Sequence, residues 1–187
     1  MPTLADLERE AATCTRCPLA GSRTNVVFGV GDPNADLMFV GEAPGRDEDL
    51  QGEPFVGRSG QLLDRLMREE IGISRNQVYI GNVLKCRPPN NRDPLPDEIA
   101  TCRPFLEQQV DLIAPKVVIT LGNFATRLLL DRKEGVTKLR GSTYPFRGGV
   151  LIPTFHPSAA LRGNPEAMAG MRADFVRAKE HLGLPPA

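Results

Sequence analysis

Four short apolar runs, within residues 36–40, 77–83, 116–121 and 150–154, are separated by stretches whose apolar residues recur at helical spacing. Strands that alternate with helices leave one economical arrangement, a mostly parallel sheet with helices on both faces. The sequence therefore predicts a three-layer αβα fold around a central, mostly parallel four-stranded sheet, formed as a single domain over residues 1–187. A chain of this length can bury a full hydrophobic core. A further short strand is expected at Val26-Val27-Phe28, helices over 3–12, 59–71, from Pro96, over 123–130 and 165–182, and a short hairpin within 131–149. Pro104 lies inside the helix expected from Pro96, which predicts a kink or a later start.

In such a sheet ligands bind outside the carboxyl ends of the strands. The loop after the first run carries the densest polar and glycine signal in the chain: Gly41-Glu42-Ala43-Pro44-Gly45, Glu48-Asp49, then Gly52-Glu53-Pro54-Phe55-Val56-Gly57 and Gly60. Its glycines allow close backbone approach, its glutamates offer carboxylates, and Phe55 offers a flat apolar face. The loops after the other runs deliver Asn82 and His156 to the same edge. Singly, a strand-end asparagine more often caps a turn, and a histidine before proline more often bonds to backbone. Together an aromatic plane, an amide with donor and acceptor, and an imidazole donor make a receptor for a planar base with carbonyl and N–H groups. An asparagine can pair with a carbonyl and the adjacent N–H of a pyrimidine edge, which favours uracil over cytosine.

Lys+Arg and Asp+Glu are equal at 23 each, so binding to nucleic acid by bulk charge is disfavoured while a local basic footprint is not. Arginines do gather in these loops, at Arg46, Arg58, Arg87, Arg92, Arg140, Arg147 and Arg162. The glycine pair Gly29 and Gly31 does not complete a dinucleotide fingerprint, and no phosphate-loop motif occurs. No apolar run approaches a membrane span, and the first residues lack the apolar core of an export signal, so a cytoplasmic protein with no membrane partner is expected. Disulfides are then disfavoured for Cys14, Cys17, Cys86 and Cys102. The close pair Cys14-Thr15-Arg16-Cys17 suits two thiolates at one centre, but the other two cysteines stand sixteen positions apart, where a zinc ribbon would supply a second close pair. An iron–sulfur cluster, a zinc site and unrelated core thiols all remain open from spacing.

The combination of the 41–57 loop, the Asn82 strand end, His156-Pro157-Ser158 with Leu161-Arg162, and the four cysteines resembles the family 4, iron–sulfur uracil-DNA glycosylases. The similarity runs from about Leu7 to the terminal helix. It implies an enzyme that flips uracil out of DNA and hydrolyses its N-glycosidic bond, leaving an abasic site in base excision repair. By the same resemblance, Ala43, Gly45, Phe55, Asn82 and His156 bind uracil, and His156 donates to the oxygen where charge develops. Gly57, Arg58, Ser59, Ser158, Leu161 and Arg162 contact DNA, with Leu161 filling the gap left by the flipped nucleotide. The four cysteines hold a [4Fe–4S] cluster.

Where family 1 glycosylases carry an aspartate for water activation this chain has Ala43, so Glu42 and Glu48 become the candidate water-positioning groups. A related group that traps uracil-DNA covalently uses a histidine in an inserted basic loop; Asn90-Asn91-Arg92-Asp93 stands there instead. The expected partners are uracil-containing DNA, single- or double-stranded, and free uracil as product. A monomer is expected, and nothing in the sequence supports a sliding-clamp contact. The competing reading is a noncatalytic iron–sulfur nucleic-acid-binding or redox-sensing protein.

Overall fold

The computed structural model describes residues 1–185. Its sheet has six strands in the order β1-β3-β2-β4-β6-β5. Four of them, β2 (Leu37–Gly41), β3 (Tyr79–Asn82), β4 (Val117–Leu121) and β6 (Gly149–Thr154), are parallel neighbours. These are the four apolar runs, and β2, β3 and β4 are buried at every position, as a sheet covered on both faces requires. Two short antiparallel edge strands, β1 (Val30–Gly31) beside β3 and β5 (Tyr144–Phe146) beside β6, enlarge the expected four-stranded sheet.

The helices are α1 (Leu4–Ala12), α2 (Arg46–Gln51), α3 (Arg58–Leu66), α4 (Pro96–Ile113), α5 (Asn123–Leu130), α6 (Val136–Leu139), α7 (Pro157–Leu161) and α8 (Pro165–His181). Side chains alternate across a strand, and β2 divides its own between the two outer layers. Leu37 and Phe39 pack with Leu62, Leu63, Leu66 and Phe175 from α3 and α8. Met38 and Val40 pack with Leu106, Val110 and Ala125 from α4 and α5. α1 closes a smaller cluster in which Leu7 and Ala11 meet Phe28 and Phe105.

Several local expectations change. Val26–Phe28 is not a strand: Val27 N–H donates to the Lys85 carbonyl at 2.7 Å, and the edge position beside β3 goes to β1. The helix after the 41–57 loop begins at Arg58, ends regularly at Leu66 and continues as one π-helical turn over Met67–Ile71, closed by Gly72 at φ 83°. α4 starts at Pro96 and runs through Pro104 to Ile113, so the later start does not occur; burial of Phe105, Leu106, Val110 and Ile113 outweighs the missing N–H. Residues 131–149 hold α6 and β5 but not a whole hairpin: β5 turns at Arg147 and Gly148, with φ 45° and 84°, to pair with the last strand, β6.

Phe39 is fully buried on β2, its ring 5.5 Å from that of Phe175. Phe39→Ala should cost about 3–5 kcal/mol, read as a lower denaturant midpoint with unchanged slope in urea unfolding.

Candidate active site

The loops after the four parallel strands surround a cleft of about 800 Å³. It opens where the chain passes from β2 outward to β3 and then back across β2 to β4, the reversal at which open sheets bind ligands. Glu42, Ala43, Gly45, Glu48, Phe55 and Ser59 line it from the loop between β2 and α3; Asn82 comes from β3, and His156, Ser158 and Arg162 from beyond β6. Asn91, Arg92 and Asp93 reach it from the loop before α4, and Asn123 and Phe124 from the start of α5.

Glu48 holds the first loop together. Its Oε1 accepts from Gly45 N–H at 3.0 Å, and its Oε2 accepts from Val56 and Gly57 N–H at 3.0 and 2.8 Å. One carboxylate thus ties both ends of an excursion spanning α2. Both its oxygens are committed to backbone, which leaves Glu42 and Asp93 as the carboxylates of the lining without such partners. Burial pushes the Glu42 pKa up, and the nearby Asp93 adds to the shift; no hydrogen bond from the described residues opposes it.

Phe55 is buried at 6% exposure and adopts φ 54°, a left-handed conformation that costs a bulky residue roughly 1–3 kcal/mol. Its ring lies against Gly41, where a Cβ would come within 2.5 Å of both the Phe55 ring and Asn82 Oδ1. Glycine at the end of β2 therefore lets the aromatic face and the amide occupy one spot. Asn82 is buried at 2% exposure, and its Oδ1 has no hydrogen-bond partner among the described residues. A buried acceptor without a partner is costly, and this one faces the cleft floor beside Phe55.

His156 precedes α7, and its Nδ1 accepts from the Ser158 N–H at 3.1 Å and contacts Ser158 Oγ at 2.9 Å. A nitrogen that accepts a backbone N–H carries no proton, so the neutral ring carries its hydrogen on Nε2. Burial, then the charge of Arg162, lowers the pKa to about 4 against a weaker opposing pull from Glu48. The His156 and Phe55 rings are 5.9 Å apart at 32°.

Two supporting groups had no signal in the sequence, because each acts through partners far along the chain. Asp174, fully buried on α8, accepts from Thr154 Oγ1 at 2.6 Å and from Arg140 at 3.0 and 3.1 Å, and Arg140 in turn lies over the Phe155 ring. The strand end that delivers His156 is thereby anchored to α8. Lys85, also fully buried, donates to the Asn82 carbonyl at 2.9 Å and to Gln109 Oε1 at 2.6 Å, and burial lowers its pKa to about 8.

Of the expected DNA contacts, Gly57 caps α3, Arg58 and Arg162 are exposed, and Ser59 and Ser158 are half-buried in the cleft wall. Leu161 ends α7 half-buried against the core outside the cleft lining. The loop arginines divide: Arg92 pairs with Glu98, Arg140 with Asp174 and Arg147 with Asp111, whereas Arg46, Arg58, Arg87 and Arg162 enter no ion pair among the described residues.

Cys14, Cys17, Cys86 and Cys102 line one further pocket, together with Arg23 and Lys85. Arg23 Nη1 donates to Cys86 Sγ at 3.4 Å and the Lys85 N–H to Cys102 Sγ at 3.4 Å. Among the described residues no three histidine, cysteine or acidic side chains are grouped to hold a single metal ion. No helix among them is long and apolar enough to cross a membrane.

In comparison with known proteins, residues 28–182 match the Uracil DNA glycosylase superfamily. A type-4 uracil-DNA glycosylase of Sulfurisphaera tokodaii is 44% identical over 194 aligned residues, covering 100% of this chain and 87% of that protein. One of Thermotoga maritima is 52% identical over 151 residues, covering 80% and 78%. A type-5 uracil-DNA glycosylase of Thermus thermophilus is 33% identical over 152 residues, covering 71% and 68%.

The His156 geometry predicts a pH signature. Its folded pKa of about 4 lies below the usual 6.5, so between those values the unfolded chain binds more protons. The neutral ring's contribution to folding stability is full above pH 6.5 and is lost as pH falls toward 4. Urea titrations across that window should give a slope of stability against pH that is reduced in His156→Gln.

Proposed function

The chain belongs to the Uracil DNA glycosylase superfamily, and we propose that it is a hydrolase that releases uracil from DNA by cleaving the bond between uracil N1 and deoxyribose C1′. The observation that carries this reading into the cleft is the unpartnered Asn82 Oδ1, buried beside an aromatic ring. Oδ1 is suited to accept the uracil N3–H while Nδ2 donates to O4. Cytosine presents an acceptor at N3 and a donor at position 4, so both pairings would fail.

A flipped uracil stacks on Phe55 with its edge on Asn82, and the backbone of Ala43 and Gly45 bounds the pocket. Cleavage leaves positive charge on the sugar and negative charge on uracil. His156 Nε2–H donates to O2 as that charge forms, and a donor fixed in advance needs no reorganisation. Neutral imidazole suits this role because Ser158 already holds Nδ1 as acceptor. Glu42 then positions the water that attacks C1′, since Glu48 is committed to backbone and Ala43 carries no polar group. The products are free uracil and an abasic site. An arrangement built around a base pocket disfavours a noncatalytic binding or redox-sensing role.

Ser59 offers backbone and hydroxyl donors to phosphates, beside Gly57, whose N–H Glu48 holds, and Ser158, whose N–H His156 holds, with Arg58 and Arg162 at the rim, and Leu161 fills the vacated stack. Such contacts position the duplex without a high net charge. The substrate is uracil-containing DNA in single- or double-stranded form, met by a monomer.

The four cysteines fit a [4Fe–4S] cluster: they share one pocket, and Arg23 and the Lys85 amide direct N–H groups at two of the sulfurs, as anionic thiolates ask. When bound, the cluster supplies an anionic cross-link between the segment after α1, the loop after β3 and α4, and takes no part in bond cleavage. Iron content and visible absorbance of purified protein should both fall sharply in Cys86→Ala.

The direct test is a duplex oligonucleotide with one uracil, incubated with the protein and treated with alkali beside a thymine control. Scission at uracil alone is expected. His156→Ala should slow single-turnover cleavage on the order of 100- to 1000-fold with DNA affinity nearly unchanged; Asn82→Asp, which sets a carboxylate against uracil O4, should abolish uracil preference. Cleavage that survives both substitutions would refute the pocket.

A further inference from the structure

Phe55 holds its left-handed φ of 54° with no glycine to relieve it, so the surroundings must impose the conformation. Gly60 does part of this, since a Cβ there would collide with the Phe55 carbonyl. The carbonyls of Pro54 and Phe55 belong to no strand or helix, so no ladder satisfies them. Arg75 satisfies both: its Nη1 donates to the Phe55 carbonyl at 2.9 Å and its Nη2 to the Pro54 carbonyl. The guanidinium is oriented by Asp64 Oδ1 at 3.1 Å from α3 and by Glu53 at 3.6 Å, and its side chain is 22% exposed.

Arg75 opens the short 3-10 turn Arg75–Gln77, between the π-helical turn 67–71 and β3. It lies outside the cleft lining and reaches the cleft through the loop that carries Phe55. We infer that Arg75 is a positioning residue for the base pocket: its planar fork locks the two carbonyls and so fixes the Phe55 ring as a preformed stacking platform. The inference rests on the reading of the cleft as a uracil site. A guanidinium fits because two parallel N–H donors meet two adjacent carbonyls at fixed spacing; a lysine ammonium keeps the charge facing Asp64 and Glu53 but not the fork.

A platform that is ordered before the base arrives strengthens binding of the free base as well as of DNA. Calorimetry with free uracil therefore reads the effect without any cleavage step. In the full chain, Arg75→Gln should raise the Kd for uracil about tenfold, as stacking losses do, and Phe55→Ala should do at least the same. The double substitution should bind no more weakly than Phe55→Ala alone, because Arg75 acts through that ring. Arg75→Lys, which preserves the ion pairs that support folding, should show the Arg75→Gln defect with a near-normal melting temperature. Wild-type affinity in folded Arg75→Lys, or additive losses in the double variant, would overturn the assignment alone. A wild-type protein that neither binds uracil nor releases it from DNA would overturn the uracil site and the assignment together.

Discussion

β2 is buried on both faces and bonded on both edges, and the cleft depends on that placement. A strand in that position needs an apolar side chain at every site, which Leu37-Met38-Phe39-Val40 supplies, and helices above and below to receive them. The chain leaves β2 for β3 on one side and returns across it to β4 on the other, so the loops after these strands diverge and open a crevice. Gly41 ends β2 at the floor of that crevice, and its missing side chain is where Phe55 and Asn82 meet. Sheet register and pocket are thus one construction: Gly41 pairs with Asn82 in the β2–β3 ladder, which sets the amide opposite the glycine.

The electrostatics of the cleft follow from which groups the protein already satisfies. Glu48 spends its charge on three backbone N–H groups, and Asp174 spends its own on Arg140, Arg177 and Thr154. Both are structural anions that rigidify what they touch. Asn82 Oδ1 and the Nε2 edge of His156 are left facing the cavity, and Glu42 remains a half-buried carboxylate with a raised pKa. On the proposed reading, these uncommitted polar groups suit a neutral, flat molecule with one N–H and two carbonyls, and a leaving group whose charge grows beside a fixed donor.

Much of this was legible in the sequence because it depends on local rules. Apolar runs and helical spacing gave the parallel sheet and its covering layers, and the loop after β2 announced itself through Gly41, Gly45 and Phe55 at a strand end. What escaped was set by distance in the chain. Val26–Phe28 has strand composition, yet Val27 bonds to Lys85 in irregular backbone, and the edge goes to Val30 and Gly31. The π-helical turn at Met67–Ile71 follows from a register no periodicity reports. Glu48 and Glu42 look equivalent as letters and diverge only once Val56 and Gly57 fold back on one of them. Nothing local marks Lys85 and Asp174 as buried; their burial depends on Gln109 and Arg140, more than twenty positions away.

The arginines carry the same lesson into DNA recognition. Seven arginines gather in the loops, where a local basic footprint is possible by sequence, but Arg92, Arg140 and Arg147 are committed to Glu98, Asp174 and Asp111 as braces. Arg46, Arg58, Arg87 and Arg162 remain, Arg46 and Arg58 opening α2 and α3. A few uncommitted cations set around helix starts can seat phosphates along one path without attracting polyanions everywhere. A protein with equal numbers of acidic and basic residues is then able to approach DNA weakly and leave the selection to the pocket, where Phe55, Asn82 and His156 are already in place.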